Sequence, residues 1–154
     1  MAHYVLFSWR MFGVPGIPDE LMFVCPEVTI STSSQFVILL ADDDRLVRNA
    51  VRAMLTKAGY AVLDATDGEH ALEVSREYDG SIHVLLTDMK MPRMDGLQLS
   101  NLIAKERPGI KVLVMSGKTS GEPLLVNQRV EFLRKPFLPR TLWERLTNLL
   151  DGSD

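Results

Sequence analysis

From Phe36 to Leu150 two kinds of apolar pattern alternate along the chain. Short runs, Phe36–Ala41, Ala61–Ala65, His83–Thr87, Lys111–Met115 and Val130–Leu133, are rich in Val, Ile and Leu, continuous in the first and interrupted by Asp64 in the second and Glu131 in the fifth. Runs of that length without a polar face suit strands covered on both sides. Between them, apolar residues recur every three or four positions, the spacing of a helix with one buried stripe. Val47, Ala50/Val51, Met54/Leu55 and Ala58 form such a stripe after Asp44, which can cap the helix, and Gly59 stands where a C-terminal cap belongs. A second helix opens at Asp67 or Gly68 with Ala71, Leu72 and Ser75 inward, and ends near Tyr78. A third, Leu97–Glu106, turns Leu99, Leu102 and Ile103 inward and stops at Pro108-Gly109. The polar segment Lys118–Arg129 carries Gly121 and Pro123, which leaves room only for a short helix, Pro123–Gln128. The last helix, Leu138–Leu150, puts Leu142, Leu146 and Leu149/Leu150 on one face. Five strands alternating with five helices predict crossover βα units and a parallel sheet, an α/β fold.

The first 35 residues break this pattern. They hold Pro15, Pro18 and Pro26 and no sustained period, so the expected organisation is an extension and linker over 1–35, a domain over 36–151 and a tail over 152–154. The apolar run Tyr4–Phe12 is interrupted by Arg10 and stopped by Gly13-Val14-Pro15-Gly16, too short to span a bilayer. It also lacks the basic start and small-residue cleavage site of a secretory signal. Cys25 is the only cysteine, which rules out an intramolecular disulfide and fits a cytoplasmic protein. The net charge is −3, with no basic stripe, so nucleic acid is not an expected partner.

Chemistry-bearing residues collect at strand ends. Asp42 and Asp43 follow the first strand, Asp88 ends the third, Ser116 the fourth, and Lys135 the fifth. In a parallel α/β sheet these positions share the carboxyl edge, where ligands sit. Two carboxylates about 4 Å apart repel by about 4 kcal/mol at an effective dielectric near 20. A divalent cation relieves this, and an all-oxygen donor set suits Mg2+. A cation, a lysine and an exposed carboxylate are equipment for phosphoryl transfer, with Asp88 attacking and Lys135 neutralising the phosphoryl oxygens.

Asp42-Asp43, the stretch from Asp88 through Met91-Pro92-Arg93-Met94-Asp95-Gly96, Met115-Ser116-Gly117 and Lys135-Pro136-Phe137 together resemble the receiver domain of two-component response regulators. The Met-Ser-Gly and Leu-Arg-Lys-Pro-Phe wording resembles receivers attached to hybrid histidine kinases. The resemblance implies a doubly wound five-stranded parallel sheet in the order 2-1-3-4-5, flavodoxin-like, with Asp88 as phosphoacceptor. Mg2+ would be held by Asp42, Asp43 and Asp88 and by the backbone carbonyl of Lys90. Ser116 would be the switch hydroxyl, Phe132 the switch aromatic, Lys135 the cation of the phosphoryl group, and the Lys135-Pro136 bond cis. Implied partners are a histidine kinase or phosphotransfer protein and a downstream protein effector. A homodimer through the fourth helix, fifth strand and fifth helix is a further implied partnership. The chain would be a phosphorelay switch rather than a turnover enzyme, and its end just after the last helix suggests a stand-alone receiver.

The interval from Ser116 to Lys135 is tight for that family, so weak helical order is expected there. Lys90 and Lys118 would stand beside the site and slow the water attack that ends the signal. Two other readings compete. A receiver-like binding module that is never phosphorylated would keep the fold alone. A haloacid-dehalogenase-like phosphatase would use Asp42-x-Asp44, Ser116 and Lys135. That enzyme wants Thr or Val where Leu46 stands and a later acidic pair, and leaves Asp88 without a role.

Overall fold

A computed structural model describes residues 36–117 and 130–152. The expected extension over 1–35 and the short fourth helix lie outside the described residues. The elements are β1 (Val37–Ala41), α1 (Arg45–Lys57), β2 (Ala61–Ala65), α2 (Gly68–Glu77), β3 (Val84–Asp88), α3 (Gly96–Glu106), β4 (Lys111–Ser116), β5 (Val130–Arg134) and α4 (Pro139–Asp151). All strand pairs are parallel, and the order is β2-β1-β3-β4-β5. The doubly wound order expected from the resemblance is therefore the order found.

The unbroken apolar runs have a direct cause. Successive residues of a strand face opposite sides of the sheet, and both sides are covered. Leu39, Leu85, Val112 and Val114 pack on one side with Leu72, Leu99 and Ile103 of α2 and α3. Ile38, Leu40, Leu86, Leu113 and Met115 pack on the other with Leu55 of α1 and Leu142 and Leu146 of α4. Each buried leucine or isoleucine of this kind contributes roughly 1.5–3 kcal/mol. The stability therefore comes from the two faces, and the carboxyl edge is free to hold charges that repel.

Side-chain caps set three of the helix starts. Asp44 Oδ1 accepts from Leu46 N and Val47 N at 2.8 and 3.2 Å, and Asp67 Oδ1 from His70 N at 3.0 Å. Asp95 and Gln98 form a reciprocal capping box on α3. The stripe expected on α3 needs one correction. Leu99 and Ile103 are fully buried, but Leu102 is 37% exposed. It lies one residue before Ile103, about 100° round a 3.6-residue helix, and so points outward.

Gly96, at the first turn of α3, is where the chain needs a residue without a side chain. A Cβ there would stand 2.2 Å from the Asp88 carbonyl oxygen and 3.1 Å from Thr87 Cγ2. Gly96→Ala is expected to cost about 1–3 kcal/mol, the usual penalty of overpacking, measured by chemical denaturation. A variant as stable as the parent would show that the end of β3 can move aside.

Candidate functional site

The parallel register brings the expected residues to one edge. Ala41 pairs with Thr87, Asp88 with Met115, and Ser116 with Arg134, so Asp42 and Lys135 each stand one residue beyond a paired position. Lys135 N donates to the Ser116 carbonyl at 2.7 Å, and the Lys135–Pro136 peptide is cis. Lys135 Nζ lies between two carboxylates, 2.6 Å from Asp88 Oδ1 and 3.0 Å from Asp42 Oδ2. These contacts join residues 47 and 93 positions apart in the chain.

The remaining oxygens are also held. Lys90 N donates to Asp88 Oδ2 at 2.8 Å, and Asp44 N to Asp42 Oδ1 at 2.9 Å. The Asp42 carbonyl accepts from the buried Arg48 guanidinium at 2.6 Å. Thr87, fully buried, turns its hydroxyl onto the Asp88 carbonyl at 3.0 Å. Arg48, Thr87 and Gly96 fix the two aspartates, and none of the three was singled out in the sequence for that task. Only Gly96, in an Asp-Gly pair after a strand, carried a visible signal.

Charge and burial oppose each other here. Asp42 is 1% exposed. Its burial, with a smaller push from Asp88, raises the carboxyl above the ordinary value and outweighs the hydrogen bond and charge of Lys135 and the Asp44 amide, which lower it. Lys135 moves the other way. Burial alone would pull its ammonium down, but two carboxylate partners together lift it above its ordinary value. The difference is one of stoichiometry, because the lysine has two counter-charges while Asp42 has half of one lysine.

Asp43 is exposed, and its carboxylate accepts no hydrogen bond from the described residues. Asp42, Asp43 and Asp88 against one lysine leave a formal charge of −2. Among the described residues no three acidic, histidine or cysteine side chains stand grouped as a metal set, and Lys135 lies between the two inner carboxylates instead. The donors present are all oxygen, which in chemistry and charge fits Mg2+. Ser116 is half-buried at the end of β4. Phe132 is half-buried on edge strand β5, packed on the α2 and α3 side of the sheet. Lys90 is exposed, and Lys118 lies outside the described residues. No helix of the described residues is long and apolar enough to cross a membrane.

Known proteins share this fold and sequence pattern. The family model for the response regulator receiver domain matches residues 38–147. The sensor kinase CckA of Brucella abortus is 31% identical over 131 residues, covering 83% of this chain and 14% of that protein. Response regulator MprA of Mycobacterium leprae is 35% identical over 122 residues, covering 73% of this chain and 50% of that one. The chain thus spans half or less of these curated relatives. Among solved structures, chemotaxis protein CheY4 of Vibrio cholerae superposes with a TM-score of 0.70 at 28% identity, covering 76% of this chain and all of that one. The receiver domain of the hybrid histidine kinase CckA gives 0.61 at 33% identity, with 74% and 98% covered. A family model spanning most of the chain, on a sheet of the same order, is decisive: this chain belongs to the response regulator receiver domain family.

Proposed function

We propose that Asp88 accepts a phosphoryl group from a phosphohistidine of a histidine kinase or phosphotransfer protein, with Mg2+ bound, and that the chain then signals through protein contacts in the cytoplasm. The observation that carries this reading is the Lys135 ammonium shared by Asp88 at 2.6 Å and Asp42 at 3.0 Å. It sets a permanent positive charge against the carboxylate that would carry the phosphoryl group.

In the transfer, an Asp88 carboxylate oxygen attacks phosphorus while the bond from phosphorus to the donor imidazole nitrogen breaks. The electron pair leaves with the imidazole, which takes up a proton from solvent. Asp42, Asp43, Asp88 and the Lys90 carbonyl would hold the Mg2+, whose charge would offset that of the phosphoryl oxygens. Lys135 stays paired with a phosphoryl oxygen, and the Ser116 hydroxyl donates to another. The aspartyl phosphate adds roughly −1.5 to −2 of charge. Movement of Ser116 toward it would open space for Phe132 to turn inward. That would reshape the surface formed by β5 and α4, where an effector or a second copy of the chain would bind.

Incubation with acetyl phosphate and Mg2+ tests the reading, because acetate then leaves in place of imidazole. Intact-mass measurement is expected to show one added phosphoryl group, mapping to the peptide that contains Asp88. An unchanged mass at saturating donor would overturn it.

A further inference from the structure

The loop between β3 and α3 is fastened at its ends by the backbone. Met89 N donates to the Met115 carbonyl at 2.9 Å, and Gly96 N to the Met89 carbonyl at 3.0 Å. Between those ends, Met91 is buried in the core, and Met94 lies so close to Gly68 that a Cβ at 68 would meet Met94 Cβ at 2.8 Å. The polar tie is Arg93. Its Nη2 is 2.5 Å from Asp67 Oδ2 and its Nε 3.0 Å from Glu69 Oε2, which joins the loop to the first turn of α2. Asp67 is an anchored partner, since its other oxygen caps α2 through His70 N. Arg93 has a φ of 67°, in the left-handed region. Glycine enters that region at less cost, so the backbone gives no reason for an arginine; its two ion pairs do.

We propose that Arg93 is a positioning residue for phosphoryl acceptance: its clasp on Asp67 and Glu69 holds the loop so that the Lys90 amide stays on Asp88 Oδ2. This rests on Asp88 being the acceptor. The Lys90 amide fixes one of the two Asp88 oxygens at 2.8 Å while Lys135 fixes the other at 2.6 Å. Lys90 is three residues from Arg93 and exposed, so release of the clasp lets its amide leave the carboxylate, and the reactive oxygen loses its orientation.

Arg93→Ala and Arg93→Gly both remove the clasp, and the glycine variant also relaxes the backbone. Both are expected to accept phosphoryl from acetyl phosphate about threefold to fivefold more slowly, the range an exposed ion-pair cluster can transmit. Hydrogen exchange of the Lys90 amide should speed up, while β1 amides and the thermal midpoint stay as in the parent. Glu69→Gln should slow the parent but add nothing in the Arg93→Ala background, since the two side chains act as one unit. Parental rate and Lys90 protection in Arg93→Gly would overturn the clasp alone, as would fully additive effects. A parent chain that takes up no phosphoryl group would overturn the functional reading and this role with it.

Discussion

Asp88→Asn is expected to abolish phosphoryl uptake from acetyl phosphate while leaving the chain folded. An amide does not attack phosphorus to give a stable acyl phosphate, so the loss should be complete rather than partial. Two opposing changes keep the fold intact. The amide can accept from only one of the two donors now on Asp88, Lys135 Nζ and Lys90 N, and the unmade hydrogen bond costs on the order of 1–3 kcal/mol. Against that, a like charge is removed from beside Asp42, whose carboxyl Asp88 pushes upward. The net change should stay within about 1 kcal/mol, because mutual repulsion at a functional site is relieved when function is removed. Intact mass and a urea titration read the two halves separately. Residual uptake by the variant would move the acceptor elsewhere, and exposed Asp43 would be the next residue to replace.

How far the sequence exposes all this differs from residue to residue. Leu85 and Leu86 are adjacent and both fully buried, because the sheet is covered on both sides, and an unbroken apolar run is the direct imprint of that arrangement. Lys135 and Asp42 are 93 positions apart yet could be paired on paper. Each follows a strand, and a parallel sheet brings all such ends to one edge. The residues that steady the site left no comparable trace. Arg48 reads as the solvent side of an amphipathic helix, but its guanidinium turns back onto the Asp42 carbonyl and is buried there. Arg93 and Asp67 meet across 26 positions through a loop conformation that no periodicity encodes. Leu102 failed in the opposite direction, since a residue next to a buried position of a helix can share its chemistry without sharing its face. Patterns in a chain report burial and strand ends well. They report poorly on polar contacts that depend on where a loop happens to turn.

Lys135→Met should produce the second large effect, and its size should depend on pH. Removing the ammonium takes from Asp42 both the hydrogen bond and the charge that partly offset its burial, so its carboxyl should rise further above 3.8. A carboxyl with a raised folded-state value binds more protons folded than unfolded between the two values. Stability therefore falls as pH rises from about 3.8 through the folded value, then levels. At neutral pH the variant should be less stable than the parent by about 2–4 kcal/mol, under the 3–5 typical of a broken fully buried pair because Lys135 is 24% exposed. Toward pH 4 the gap should narrow, as Asp42 takes up its proton. At the alkaline end the parent alone shows a second fall, of the same sign. Its Lys135, held above 10.5, contributes fully below that value and loses the contribution as pH rises through the folded-state value. The variant has no such step. Phosphoryl uptake should slow on the order of 10²-fold, the usual cost of removing one group aimed at developing charge. If Asp42, Asp43 and Asp88 do share a Mg2+ ion, added Mg2+ should raise the variant's thermal midpoint more than the parent's, because its carboxylates have no other cation between them. An equal stability loss at pH 4 and pH 7 would refute the electrostatic account and leave only the packing of the lysine stem to explain the change.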